Sequence, residues 1–158
     1  MKSIFYVLLM AVAFVGVSCG DDDGGDSGPS IYFTATIGGN AFEAVSPTGS
    51  INSFTDTYSA RGSDETKVFT ITFNETPEAK TYTLTGNNTV DGMTITYDKD
   101  ANSTSTSDLY TMEEGDFIVE SFKDNKMKGT FSGKVVNFTD ESKVVSITEG
   151  TFAIKFQQ

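Results

Sequence analysis

Asp98-Lys99-Asp100-Ala101-Asn102 places oxygen-bearing side chains at positions one, three and five of a run. That is the opening spacing of a loop that wraps a hard divalent cation such as calcium. The pattern then departs: Ser103 stands where the sharp turn takes glycine, and Leu109 occupies the place of the bidentate acid, with Asp108 beside it. Asp98, Asp100, Asn102 and Asp108 are candidate ligands on this reading, weighed against a solvated loop whose aspartates cap turns. Paired carboxylates could hydrolyse a glycoside as acid and base, and Glu113, Glu114, Glu120 and Glu149 fall near expected strand ends. Nothing in the spacing sets two of them at a catalytic separation, and Glu120 alternates with apolar neighbours as a solvent-side strand residue does. Tyr32, Tyr58, Tyr82, Tyr97 and Tyr110 could stack on sugar rings, but tyrosine is an ordinary strand residue and the structural role is preferred.

The residue types that are missing exclude more. The chain has no histidine and one cysteine, so Ser-His-Asp and Cys-His nucleophile systems cannot be assembled. Zinc, copper and haem lose their usual ligands, and no disulfide can form within one chain. The expectation is a non-enzymatic domain without a cofactor, held together by burial and backbone hydrogen bonds. Thirteen phenylalanines supply the bulk for such a core.

The one cysteine, Cys19, has a chemistry of its own. It follows Met1-Lys2-Ser3, the apolar stretch Ile4 to Val17, and Gly16-Val17-Ser18, which are the charged, hydrophobic and cleavage regions of an export signal in order. The apolar run has 14 residues, short of the roughly 18 needed to cross a bilayer. This resembles the lipobox of bacterial lipoproteins, although Gly16 stands where that pattern commonly has Leu or Val. The resemblance implies cleavage before Cys19 and acylation of its thiol, and two or three chains on one cysteine make a lasting membrane anchor. Residues 1–18 are then a signal peptide.

Residues 19–30 follow as a flexible acidic tether, since Gly20 to Ser30 reads GDDDGGDSGPS and has no apolar side chain to pack. Asp21, Asp22 and Asp23 resemble the export signal that sends Bacteroidota lipoproteins to the outside of the outer membrane. That favours the cell surface over the periplasmic face, the plainer reading being a solvated, self-repelling linker. Loss of the leader with Lys2 takes the formal charge from −11 to −12. A polyanion is repelled by phosphate backbones, and Arg61, Lys67, Lys80, Lys99 and Lys123 are scattered along the chain, so nucleic acid is not an expected partner.

Residues 31–158 form the folded unit, a length suited to one domain. Short runs alternate apolar and polar residues between Gly, Asn and Asp, with hardly any 3.6-residue period, which predicts an all-β domain of eight to ten strands. Ile31 to Ile37 turns through Gly38-Gly39-Asn40 into Ala41 to Ala44 as a hairpin. Phe69 to Phe73 is expected to form a second one with Thr81 to Leu84 through Thr76-Pro77-Glu78. Met93 to Tyr97 precedes the polar loop Asp98 to Asp108 and a short segment around Leu109. Phe117 to Phe122 meets Met127 to Val136 across Lys123 to Lys126, and Val144 to Ile147 is expected to pair with Gly150 to Phe156. Two stacked antiparallel sheets, a β-sandwich, are the expected architecture; a lipocalin-like up-and-down barrel is the alternative. The triplets Gly129-Thr130-Phe131 and Gly150-Thr151-Phe152 are read as equivalent places in one sheet.

The acidic tether, the early glycine-interrupted hairpin and the two Gly-Thr-Phe strand starts together resemble an uncharacterised family of small Bacteroidota lipoproteins. That resemblance implies a β-sandwich-like domain at the envelope, with no assigned activity and no site residue to carry over. The functional expectation is a lipid-anchored, non-catalytic module that binds a glycan or another envelope protein through loops at one end, the loop Asp98 to Asp108 first among them. The alternatives are a barrel carrying a small apolar ligand and, behind it, a carboxylate hydrolase.

Overall fold

The computed structural model describes residues 30–158, and Cys19 and Asp21 to Asp23 lie outside them. The described chain is all-β, with no α-helix and one short 3₁₀ turn at Thr106–Asp108. Its strands are β1 (Tyr32–Ile37), β2 (Asn40–Glu43), β3 (Thr48–Asn52), β4 (Thr57–Ser63), β5 (Val68–Phe73), β6 (Thr81–Thr85), β7 (Met93–Asp98), β8 (Leu109–Lys123), β9 (Lys126–Asn137) and β10 (Val144–Gln157). Ten strands meet the upper end of the expected count.

They do not stack as a sandwich. β3, β4, β5, β7, β8, β9 and β10 pair in that order, and β10 returns to β3, which closes a seven-strand barrel. β1 and β2 extend from β10, and β6 lies along β8. This is nearer the barrel alternative, although the closing pair is parallel, Phe156 opposite Gly49 and Gln157 opposite Ser50, so the order is not a simple meander.

The reason lies in three long strands. Leu109 and Phe117 to Phe122 belong to one strand of 15 residues, and Val144 to Phe156 to one of 14, not to a pair of short ones. Irregularities between Met112 and Glu114, Val119 and Ser121, and Ile147 and Gly150 keep each strand continuous while bending it. A bulge adds local twist, and three of them on the strands either side of β9 curl a sheet that would otherwise lie flat against another. The expected pairing of Phe69 to Phe73 with Thr81 to Leu84 is also corrected: β5 runs between β4 and β7, and β6 pairs with the middle of β8, Thr81 opposite Ile118 and Thr85 opposite Glu114.

Alternation decides which side chains enter the barrel. Phe33, Ala35 and Ile37 of β1 point inward, as do Phe69, Ile71 and Phe73 of β5 and Phe152, Ile154 and Phe156 of β10. Phenylalanine rings fill the middle: Phe117 stacks on Phe152 at 4.9 Å, Phe33 lies 5.2 Å from Phe131, and Phe69 lies 4.9 Å from Tyr97. β3 and β4 are not foreseen because Thr-Gly-Ser-Ile-Asn and Thr-Tyr-Ser-Ala-Arg-Gly-Ser offer little apolar alternation. Ala60 is the one fully buried side chain there, and Gly62 leaves room for the Phe33 ring.

Candidate functional site

The loop Asp98 to Asp108 spends its polar groups on itself. Asp98 Oδ1 accepts the Asp100 amide at 3.1 Å, and Asp100 Oδ1 accepts the Asn102 amide at 3.1 Å. The Asp108 carbonyl accepts the Lys99 amide at 2.9 Å. The one-three-five spacing is therefore two successive Asx turns, in which each side chain caps the backbone two residues on. Asp98, Asp100, Asn102 and Asp108 do not converge, and among the described residues no group of three or more acidic or sulfur ligands is placed to hold a metal.

The carboxylates proposed for hydrolysis are also apart in role. Glu114 pairs with Lys134 at 2.8 Å and Glu120 with Lys128 at 3.0 Å. Glu149 accepts the Thr36 hydroxyl at 3.1 Å. The tyrosines form no surface platform, because Tyr82, Tyr97 and Tyr110 are buried and Tyr58 packs edge-on against Phe122 and Phe156. Burial, and then the nearby Asp64 carboxylate, push the Tyr97 phenol up to about 12.

What the structure does assemble was not legible in the chain order. Lys123 on β8 stands directly opposite Lys126 on β9, and Lys126 directly opposite Lys155 on β10. Residues opposite one another in an antiparallel ladder point to the same face about 4.5–5.5 Å apart, so three ammonium-bearing side chains form a row across three neighbouring strands. Lys128, two residues along β9, adds a fourth. It is held by Glu120, which keeps its ammonium above the ordinary lysine range. Among the described residues no carboxylate lies within ion-pair distance of Lys123, Lys126 or Lys155.

The scattered basic residues of the sequence thus include a cluster, since four of the chain's 11 lysines and arginines border one place. That place is a groove of about 570 Å³ on the outer face of β8, β9 and β10. Ala153 contributes to its apolar floor, and Ser30 and Ile31 form the rim where the described chain begins; Ile31 is 48% exposed. The signal for this site was the alternation Lys123, Lys126, Lys128 about a two-residue turn, together with a lysine two residues from the end of the last strand.

Asp124 and Asn125 make that turn with φ of 52° and 57°. These left-handed values suit Asp and Asn in a tight hairpin, and they lock the register that lines up Lys123 with Lys126. The Asn125 carbonyl also accepts the Phe156 amide at 2.7 Å, which ties β10 to the same turn. A second, shallower groove of about 270 Å³ lies farther along this face, where Asp116 and Glu149 flank Ser132. Both carboxylates are already engaged, Asp116 by the Thr83 hydroxyl at 2.7 Å and Glu149 by Thr36.

Comparison of the chain with protein-family models, with curated proteins and with solved structures finds no match.

Proposed function

We propose that this chain is a non-catalytic envelope protein, anchored through acyl chains on Cys19, that binds an anionic partner at the Lys123-Lys126-Lys155 groove. The observation that carries the binding role is the in-register lysine row. Like charges set directly opposite one another in a sheet cost stability, yet here three of them share a row with no ion-pair partner among the described residues, in a chain where acids outnumber bases by 22 to 11. A site that gathers positive charge against that background suits carboxylate, sulfate or phosphate groups. An acidic glycan or an acidic stretch of another envelope protein has that chemistry. Aromatic rings packed through the barrel interior support the outer face over the lumen as the place of binding.

Anchoring and surface display rest on the leader, Cys19 and Asp21 to Asp23. Mass spectrometry of the protein from its native membrane is expected to find a diacylglyceryl group on Cys19, and an unmodified thiol would overturn the anchor. Binding is tested with an array of uronate-bearing, sulfated and neutral glycans, using the chain from Cys19 onward. Retention of acidic glycans, lost in K123Q/K126Q/K155Q, is expected. Equal retention by the triple variant would remove the groove from the reading.

A further inference from the structure

The groove begins where the described chain begins. Ser30 and Ile31 form its rim, and the ten residues before Ser30 carry Asp21, Asp22, Asp23 and Asp26 without one basic residue. We propose that the Lys123-Lys126-Lys155 row is an anion site whose resident occupant is this chain's own acidic segment, residues 21–26, folded back across the outer face of β8, β9 and β10.

Three facts commit the site to that occupant. The charges are opposite: three ammonium groups without an ion-pair partner among the described residues face four carboxylates in the adjoining chain. The reach is sufficient, because Asp26 precedes Ser30 by four positions and Asp21 by nine, and nine extended residues span at most about 30 Å. Attachment at the rim also gives the segment an effective concentration on the order of millimolar, which a separate ligand in dilute solution does not match. The contact would neutralise the like-charge row and make an external polyanion compete for its place. That competition rests on the binding role proposed above, whereas the contact itself needs no ligand.

Cys19 supplies the probe, being the chain's one cysteine. All ten strands lie C-terminal to it, so the unlipidated chain from Cys19 contains the whole barrel. With a nitroxide on Cys19, the amide signals of Lys126 to Lys128 and Ala153 to Lys155 are expected to weaken at least twofold at about 20 mM salt and to recover at about 500 mM, where screening is within a few ångströms. D21N/D22N/D23N/D26N and, separately, K123Q/K126Q/K155Q are expected to recover them at low salt; retained spectral dispersion shows that each variant is folded. Attenuation unchanged by salt and by both variants would overturn the contact. Dextran sulfate distinguishes the two proposals. If it binds the lysines while attenuation never depended on charge, the binding role stands and the self-contact falls. If attenuation depends on charge but dextran sulfate does not bind, the self-contact stands and the binding role falls.

Discussion

Gly129 on β9 lies directly opposite Phe152 on β10, and the tip of the Phe152 ring stands 2.8 Å from where a Gly129 Cβ would be. The reciprocal holds two steps along, where Gly150 is opposite Phe131 and the Phe131 ring comes within 2.6 Å of the space a Gly150 Cβ would need. Thr130 faces Thr151 between them. The two Gly-Thr-Phe triplets are therefore one antiparallel pair, each glycine opening a slot for the other's ring. Because Phe152 in turn stacks on Phe117 and Phe131 lies beside Phe33, the centre of the barrel depends on both slots.

Gly129→Ala is accordingly expected to destabilise the barrel by about 2–3 kcal/mol, because the new methyl meets both the Phe152 ring and the Ile118 carbonyl, and backbone yields less than a side chain. Gly150→Ala meets the Phe131 ring and carbonyl and falls in the same range. Urea denaturation of the chain from Cys19 reads both. A change below about 0.5 kcal/mol in either would mean that the rings can move aside.

Asn137 is the one polar side chain buried within the described residues, at 2% exposure, and every polar atom of its amide is used. Its Nδ2 donates to the Ser107 carbonyl at 2.8 Å and the Leu109 carbonyl at 3.1 Å, and its Oδ1 accepts from the Thr139 amide and hydroxyl. Asn137→Leu leaves two carbonyls and a backbone amide to find water, at an expected cost of about 2–3 kcal/mol. Hydrogen exchange should show the loss first at Leu109 to Thr111 and Thr139, where the network holds the end of the Asp98 to Asp108 loop. Uniform loss across the barrel would instead point to packing alone.

These residues mark how far the sequence could be read. Period-two alternation located the inward faces of β1, β5, β7 and β10, because Phe, Ile and Met recur there without interruption. It did not reveal closure, which turns on two backbone pairs at Phe156 and Gln157 and on bulges whose residues, Glu113, Glu120 and Glu149, look like ordinary polar strand positions. Asn137 sits in an Asn-Phe-Thr run that reads as loop composition, since burial of an amide depends on carbonyls 28 and 30 residues away. The lysine row was hidden for the same reason: Lys155 joins Lys126 only through a register that no local pattern encodes.

Asp64 organises the β4–β5 turn, and its ionisation should be visible in acid. Burial raises its carboxyl, but the amide and ammonium of Lys67 and the Thr66 amide, all bonded to it, outweigh burial and hold it below the ordinary aspartate value of 3.8. A folded-state pKa below the unfolded one means the stabilisation is fully present above about pH 4 and fades as pH falls through the lower folded value. Asp64→Ala is expected to cost about 1 kcal/mol at pH 7 and progressively less in acid. A cost that stays constant from pH 7 to pH 2 would show that the carboxylate charge is not what stabilises the turn.

The Tyr97 phenol gives the opposite limb. Burial raises it from 10.0 to about 12, with the Asp64 carboxylate adding to the shift, so the folded chain keeps its proton where the unfolded chain has lost it. Stability from this group is whole below pH 10 and is lost between pH 10 and about 12. Tyr97→Phe should flatten that alkaline decline in a denaturation series, while absorbance at the phenolate band loses a component that titrates at about 12. An unchanged decline would assign the alkaline sensitivity elsewhere.

The lysine row makes a prediction that runs against ordinary substitution. Removing the middle charge with Lys126→Gln relieves repulsion toward both Lys123 and Lys155, and cross-strand pairs of this kind are each worth about 0.2–1 kcal/mol. In a chain beginning at Ser30, Lys126→Gln should therefore stabilise by about 0.5 kcal/mol at low salt, and the gain should vanish at about 500 mM salt as the charges are screened. If residues 21–26 cover the row as proposed, the same substitution in the chain from Cys19 gains nothing at low salt and costs stability by removing the segment's central partner. Comparing the two chain lengths in one denaturation series separates a row that merely tolerates its charges from one that is complemented by residues 21–26. Equal effects in both lengths would mean that the aspartates leave the groove open.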